Sequence, residues 1–304
     1  MWEEEKLPDG FAQARFVMLY KKGSANDPGN YRCIALLNHA YKILSRIILM
    51  RLIDKAEVHL QDWQAGFRPR RGCRDNALIL RTLCRKVMSL GRSIAITFID
   101  YAAAFDTVSH KFLDEALAKA GASNKTRDMF RAVYAAASAY TTVMGTDGKS
   151  AKSDVFAIRR GVVQGDITSP LYFILALDLI LRRYDEVHGK GVPFGDSLLH
   201  TLGYADDVAL ADDGQPAGII MATNRVTALA TGSKQDADMT IKLEKTKVLH
   251  VREQDPITTT TEAEVKKACK FSCSHLGCNF KFHTKRGLLV HESHCEWKEE
   301  FNLE

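Results

Sequence analysis

No run of apolar residues in this chain approaches the ~18–20 that a membrane-spanning helix requires, so no membrane span is expected. The N-terminus, Met1-Trp2-Glu3-Glu4-Glu5-Lys6, is acidic and lacks the apolar centre of a secretory signal. Cysteine is scarce until the end of the chain. Of seven residues, Cys269, Cys273, Cys278 and Cys295 crowd the C-terminal part, and an odd, uneven count argues against a secreted disulfide framework. Reducing conditions and a metal site fit better. Charge of one sign is also lacking. The net charge of +5 is modest, so the total does not announce a nucleic-acid partner and only the distribution of charge can. What is present is ordinary globular composition, 46% hydrophobic and 26% charged, over 304 residues. That length has room for one large domain, or for one domain and a small appendage.

The basic residues cluster. Arg68, Arg70, Arg71 and Arg74 form one group, and Lys149, Lys152, Arg159 and Arg160 another. Such groups either track a phosphate backbone or coat a solvated loop, and charge alone does not separate the two. The elements around them have a mixed order. Phe16–Tyr20 reads as a strand. Residues 36–60 read as a long amphipathic helix with Leu37, Ala40, Leu44, Ile47, Ile48 and Leu52 at helical spacing. Asp75 is placed to cap a helix to about Leu90, burying Leu78, Leu80, Leu83 and Val87. Ser109 is placed to cap a helix ending near Gly121, and a further helix covers Thr126–Ser138. A hairpin with its turn at Asp147-Gly148 follows, then helices over Pro170–Tyr184 and Ala217–Ala230. Met239–Val251 suggests a turn-linked strand pair. This order is not a regular βαβ alternation and predicts an α+β fold.

The stretch with the most chemical content is Thr201–Leu210. Apolar flanks at Leu202–Tyr204 and Val208–Leu210 suit strands, and Ala205–Asp206 falls where a tight hairpin turns. Asp206 and Asp207 then sit on a turn between buried strands, where paired carboxylates are costly without a positive partner. A divalent cation held by carboxylate oxygens supplies one. A second doublet, Asp212-Asp213, is followed by Gly214, Gln215 and Pro216 and reads as a solvated loop. A third acid, Asp100, ends the strand pattern Ser93–Ile99. If that strand lies beside the hairpin, three carboxylates converge on one sheet edge. That number suffices for two magnesium ions roughly 3.5–4 Å apart, as in phosphoryl-transfer enzymes.

Four ordered motifs carry a resemblance. Phe98-Ile-Asp-Tyr-Ala-Ala-Ala-Phe-Asp106, Arg160-Gly-Val-Val-Gln-Gly-Asp-Ile-Thr-Ser-Pro-Leu-Tyr-Phe173, Tyr204-Ala-Asp-Asp207 and Lys245-Thr-Lys247 resemble successive palm motifs of reverse transcriptases. Leu19–Leu37 and Gln64-Ala-Gly-Phe-Arg-Pro-Arg-Arg-Gly72 make the chain most similar to polymerases of non-LTR retrotransposons. The resemblance covers about residues 15–251. Several motifs in order are far more specific than any one of them.

The resemblance implies a right-hand polymerase with fingers and an N-terminal region at 1–92 and a palm at 93–254. It implies RNA-directed DNA polymerase activity with an RNA template, a DNA primer and deoxynucleoside triphosphates. Asp100, Asp206 and Asp207 would be catalytic and hold magnesium. The backbone carbonyl of Tyr101 would complete one metal site. Phe105 would block a ribose 2′-hydroxyl, a steric rejection that attraction cannot supply. Gln164 and Gly165 would form the loop under nucleotide and template, with glycine allowing close backbone approach. Arg32 would contact the triphosphate through paired hydrogen bonds. Lys245 would protonate the leaving pyrophosphate. Asp106 is expected to organise its turn, and Tyr204 to pack near the primer end.

Asp255–Glu264, with Pro256 and four threonines, opens a linker over residues 255–268. Beyond it, Cys273-x4-Cys278-x12-His291-x3-Cys295 resembles a ββα zinc finger at 269–296 with a terminal cysteine, followed by a tail at 297–304. So short a piece has little core without a metal, and thiolates with an imidazole close a tetrahedral zinc site. Cys269 and His294 are rival ligands. No long helical segment precedes the finger to act as a thumb, and no endonuclease-like region precedes the fingers. A fragment or truncated element copy is therefore expected, acting at nuclear DNA. A remnant that binds nucleic acid through basic loops and finger without polymerising is the alternative, and an RNA-templated RNA polymerase is disfavoured by Phe105.

Overall fold

The chain opens with an antiparallel strand pair, β1 (Gln13–Tyr20) and β2 (Tyr31–Leu36), joined through a 3-10 turn at Pro28–Asn30. Asn38 ends the extended segment. Its side-chain oxygen accepts from the Tyr41 amide at 2.7 Å and starts α1 (His39–His59). α2 (Cys73–Ser89) follows, then β3 (Ile94–Ile99), β4 (Tyr101–Ala102), the single turn α3 (Ala104–Thr107), α4 (His110–Lys119) and α5 (Asn124–Ala136). After β5 (Ser138–Met144), β6 (Ser150–Lys152) and β7 (Phe156–Ala157) comes the long apolar helix α6 (Ser169–His188). The chain then forms β8 (Val192–Phe194), β9 (Ser197–Leu199), β10 (Thr201–Tyr204), β11 (Asp207–Asp212), α7 (Pro216–Thr231), β12 (Thr240–Ile241) and β13 (Lys247–Val251).

This computed structural model describes residues 1–144, 150–188, 191–213, 216–231, 237–242 and 245–251. It also describes an antiparallel pair, Phe271–Ser272 with Lys281–Phe282. The chain divides into two compact units, Met1–Arg252 and Glu253–Glu304. Cys273, Cys278, His291 and Cys295, with the rivals Cys269 and His294, lie outside the described residues, as does the turn at Asp147-Gly148. Among the described residues no helix is long and apolar enough to cross a membrane.

The first unit is a mixed α/β fold built on two sheets. One runs β2-β1-β5-β6 with β7 added to β5, and β1 lies parallel to β5. The other runs β10-β11-β3-β13, antiparallel throughout. Strand β3 is buried on both faces from Ile94 to Thr97 and again at Ile99, with Phe98 alone exposed among its residues. Ile94 and Ile96 pack with Leu83 and Val87 of α2, whereas Ala95 and Ile99 join the main core with α4, α6 and α7. β3 therefore reads as a near-continuous apolar run.

Local caps explain most helix starts. Ser109 accepts from Phe112, and Ser123 accepts from Thr126, each at 3.2 Å. Asp75 is not the cap of α2. It occupies the third helical position and its carboxylate accepts from the Gly72 amide at 2.8 Å, the reciprocal half of a capping box. Two expected core stripes are narrower than their spacing suggested. α1 buries Tyr41, Leu44, Ile48, Leu52 and Ala56, leaving Ala40 and Ile47 outside. α2 buries Leu83 and Val87, and Leu78 faces out. β12 and β13 also do not pair with each other. β12 joins β4 and β13 joins β3, because the chain crosses from one sheet to the other between them.

Candidate active site

The acidic turn is a two-residue connection. Tyr204 pairs with Asp207 across it, and Val208 pairs with Ile99 of β3, the residue before Asp100. The hairpin and β3 thus bring Asp100, Asp206 and Asp207 to one sheet edge. Ala205 takes φ 56°, the left-handed region that this turn needs at its first position and that usually calls for glycine. A side chain there costs on the order of 1 kcal/mol. The three carboxylates make no ion pair or hydrogen bond among the described residues. Asp207 is held above the ordinary carboxylate range, first by desolvation and then by the negative charges of Asp206 and Asp100. No three acid, histidine or cysteine side chains among the described residues close on a common point. The trio is a set of hard oxygen donors along one edge, not a closed cage. Unpaired, crowded carboxylates of this kind fit magnesium.

A cavity of about 500 Å³ opens over this edge. Its lining includes Asp100, Tyr101, Phe105, Gln164, Gly165, Asp206, Arg32 and Lys245, every catalytic or nucleotide-binding residue expected from the sequence except Asp207. Asp207 lines a neighbouring, more apolar cavity of about 350 Å³ with Tyr204, Phe98 and Leu80. Two further cations, Lys21 and Lys242, line the main cavity without any expectation from the motifs. Lys21 directly follows β1, and its amide donates to the Asn30 carbonyl at 2.8 Å. Lys242 follows β12, and its amide donates to the Asp100 carbonyl at 2.8 Å, so the strand exchange itself delivers it to the acid. The cue for Lys21 was its place in the resembling Leu19–Leu37 stretch, and Lys242 stands beside the Lys245 motif. Lys21, Arg32, Lys242 and Lys245 form no ion pair among the described residues, unlike Arg68, Arg71, Arg127, Arg131 and Arg182 elsewhere.

The cavity floor is sewn to its surroundings. Gly165 has φ 120°, and a Cβ there would lie 2.4 Å from the Ala35 carbonyl oxygen. The Ala35 amide in turn donates to the Gln164 carbonyl at 2.7 Å. The close approach that demands this glycine is therefore to strand β2. The Gln164 side chain donates to Asp106 at 2.8 Å. Desolvation raises the Asp106 carboxyl, and Gln164, Lys21 and Arg32 partly offset it. Gly161 is fixed by Asp106 too, since a Cβ would meet the Asp106 carbonyl oxygen at 2.6 Å. Beneath the loop, buried Asp166 accepts from Tyr41 at 3.2 Å and Thr168 at 2.6 Å. Phe105 stacks on Phe173 of α6 at 4.2 Å and meets the edge of Phe67 at 6.1 Å. A wall backed on two sides holds its position.

The first arginine cluster turns out to be partly structural. Arg68 is 7% exposed; its guanidinium forks onto Glu57 at 2.7 and 3.1 Å and donates to the carbonyls of Gln61 and Gln64. Arg71 pairs with Asp62. These two hold the loop to α1 and to itself. The second doublet is not a solvated loop either. Asp212 is 5% exposed at the end of β11, and Asp213 pairs with Arg92 at 2.9 Å.

The fold is shared with telomerases. Apo telomerase from Candida tropicalis, truncated from its C-terminal domain, superposes with a TM-score of 0.55 at 12% identity, over 80% of this chain and 51% of that one. Telomerase from Candida albicans in complex with a TWJ fragment of telomeric RNA gives 0.54 at 11% identity, over 83% and 45%. Such identities establish likeness of fold. The family comes from sequence: the chain belongs to the family described as "Reverse transcriptase (RNA-dependent DNA polymerase)", which matches residues 20–280. Among its relatives is the Pol polyprotein of the type-1 retrotransposable element R2 of Popillia japonica, 28% identical over 77% of this chain and 33% of that protein. The Pol polyprotein of the type-2 element R2DM of Drosophila melanogaster is 32% identical over 67% of this chain and 18% of that protein. The chain thus spans a third or less of these curated relatives.

Proposed function

We propose that this chain is the palm and fingers of a retrotransposon reverse transcriptase, catalysing RNA-templated DNA synthesis. One observation carries the reading: Asp100 and Asp206 share a single cavity with Arg32, Phe105, Gln164 and Lys245. In this reading a primer 3′-hydroxyl attacks the α-phosphorus of a deoxynucleoside triphosphate, the bond to the β-phosphate oxygen breaks and pyrophosphate leaves. Lys21 and Arg32, unpaired at the β1–β2 end, hold the triphosphate oxygens. Phe105, stacked on Phe173, excludes a 2′-hydroxyl, and Lys245 gives a proton to pyrophosphate. Asp100, Asp206 and Asp207 would hold magnesium, which when bound supplies Lewis-acid stabilisation of the phosphate charge. Positioning and electrostatics of this kind are most of what phosphoryl transfer requires.

The likeness to a telomerase solved with telomeric RNA supports an RNA template. The spacing of Cys273, Cys278, His291 and Cys295 supports an appended zinc finger, with three soft thiolates and one imidazole as donors. Action at nuclear DNA follows from retrotransposition. The test is primer extension on an RNA template with magnesium, comparing wild type with Asp206→Ala. Extension with deoxynucleotides that vanishes in the variant supports the polymerase. Folded, template-bound protein that extends nothing would show a nucleic-acid-binding remnant instead.

A further inference from the structure

We propose that Gln64 is a positioning residue for the acidic turn, holding Ala205 in its left-handed conformation so that Asp206 faces the cavity. This rests on the reading of that turn as the site of nucleotide transfer.

Gln64 is fully buried, in a stretch notable in the sequence for its arginines. Its side-chain oxygen accepts from the Ala205 amide at 3.0 Å and from the Gly66 amide at 2.7 Å. Its side-chain nitrogen donates to the Ala205 carbonyl at 3.2 Å. One amide side chain thus satisfies both backbone groups of the one residue at the turn with positive φ. The main chain around it is equally committed. The Gly203 amide donates to the Trp63 carbonyl and the Ala65 amide to the Gly203 carbonyl, each at 2.8 Å, so residues 63–65 lie along β10 as an outer bridge. Gly66 comes so near the turn that a Cβ would lie 2.1 Å from the Ala205 nitrogen, a backbone atom that cannot move aside.

A left-handed non-glycine residue persists only where its surroundings over-determine it. Here the glutamine and the glycine two residues on do that. Asp206 is bonded directly to Ala205. Relaxing Ala205 to an ordinary backbone conformation redirects the carboxylate without touching its chemistry. Gln64 does not line the cavity, so its effect passes through the turn.

The test is amide hydrogen exchange on the full chain, with Mn²⁺ affinity and primer-extension kinetics measured beside it. Gln64→Met conserves volume but keeps neither donor nor acceptor. Asn76→Ala removes the bonds to the Gly203 carbonyl at 2.7 Å and the Trp63 carbonyl at 3.5 Å, neither of them to Ala205, and serves as the comparison. In the wild type the Ala205 amide is expected to be protected like that of Gly203. Gln64→Met should speed exchange at Ala205 about tenfold, the scale of one lost hydrogen bond, leaving β3 amides unchanged. Mn²⁺ affinity and kcat should fall by a similar factor with KM for deoxynucleotide held. Asn76→Ala should leave Ala205 protected. Free exchange at Ala205 in the wild type overturns the proposal, and so does a Gln64→Met protein with wild-type exchange, affinity and kcat. If Gln64→Met does not fold, the wild-type protection decides alone. If wild type extends no primer but the exchange pattern holds, the turn clamp stands and the polymerase reading falls.

Discussion

Strand β11 carries a pair of aspartates at each end, under different electrostatic conditions. At one end Asp206 and Asp207 meet Asp100, and no protein cation pairs with any of them among the described residues. At the other, Asp213 is paired with Arg92, and buried Asp212 lies against Gly218 in the first turn of α7. A Cβ at Gly218 would come within 2.8 Å of that carboxylate, so glycine admits the acid to a helix N-terminus, where negative charge is favoured. The same dipeptide is therefore a structural feature at one end and an unneutralised one at the other. Of these acids, the neutralised pair holds the fold, while the open Asp100 and Asp206 face the main cavity and Asp207 its apolar neighbour.

The largest effect that bears on this contrast is at Asp100, which directly follows β3 and belongs to neither doublet. Asp100→Asn should lower the rate of primer extension by about 10³-fold or more, the several kcal/mol that phosphoryl transfer takes from its metal sites. Its melting temperature should stay near wild type. Normal extension by that variant would break the grouping of the three acids. Next comes Arg68, a fully compensated charge. Arg68→Ala should destabilise by roughly 3 kcal/mol, because Glu57 and two carbonyls lose a buried partner. Denaturant unfolding checks this, and a loss of template affinity without loss of stability would return Arg68 to the nucleic-acid surface. Phe105→Ala sharpens the contrast from the cavity side. Discrimination against ribonucleotides should fall by about 10–100-fold, the range for one steric element, as read by competitive incorporation.

The smallest effect is at Asp114, which accepts from Arg127 at 2.7 and 3.0 Å and from Arg131 at 2.8 Å. Burial alone would raise its pKa, but the two guanidinium groups bring it below the ordinary 3.8. Its stabilisation is therefore present above that value and lost as pH falls through the lower folded one. The wild type should lose about 1 kcal/mol relative to Asp114→Asn on acidification below roughly pH 4, measured by melting temperature. An unchanged difference across that range would assign the cluster no stability.

Much of the site was legible because its residues sit at strand ends. Apolar flanks located the Tyr204–Asp207 turn, and the Ser93–Ile99 pattern placed Asp100 at a strand end; only the pairing of β3 with β11 had to be found in the fold. Ser109 worked as a cap because capping is local. What stayed hidden was long-range. Ala35 explains Gly165 from another sheet, Gln64 explains Ala205 from far along the chain, and Asp212 needs α7 to explain its burial. Charge alone left Arg68 between a phosphate contact and a solvated loop, because nothing in its own stretch announces Glu57. Lys242 reaches the cavity because β12 pairs with β4, the two residues that follow Asp100.

The most direct test neutralises the two doublets side by side. Asp206→Asn with Asp207→Asn is compared with Asp212→Asn with Asp213→Asn, recording extension rate per folded molecule and melting temperature for each. The first pair should abolish extension and keep the melting temperature. The second should keep extension and lower the melting temperature. Equal losses of both properties in the two proteins would contradict the account.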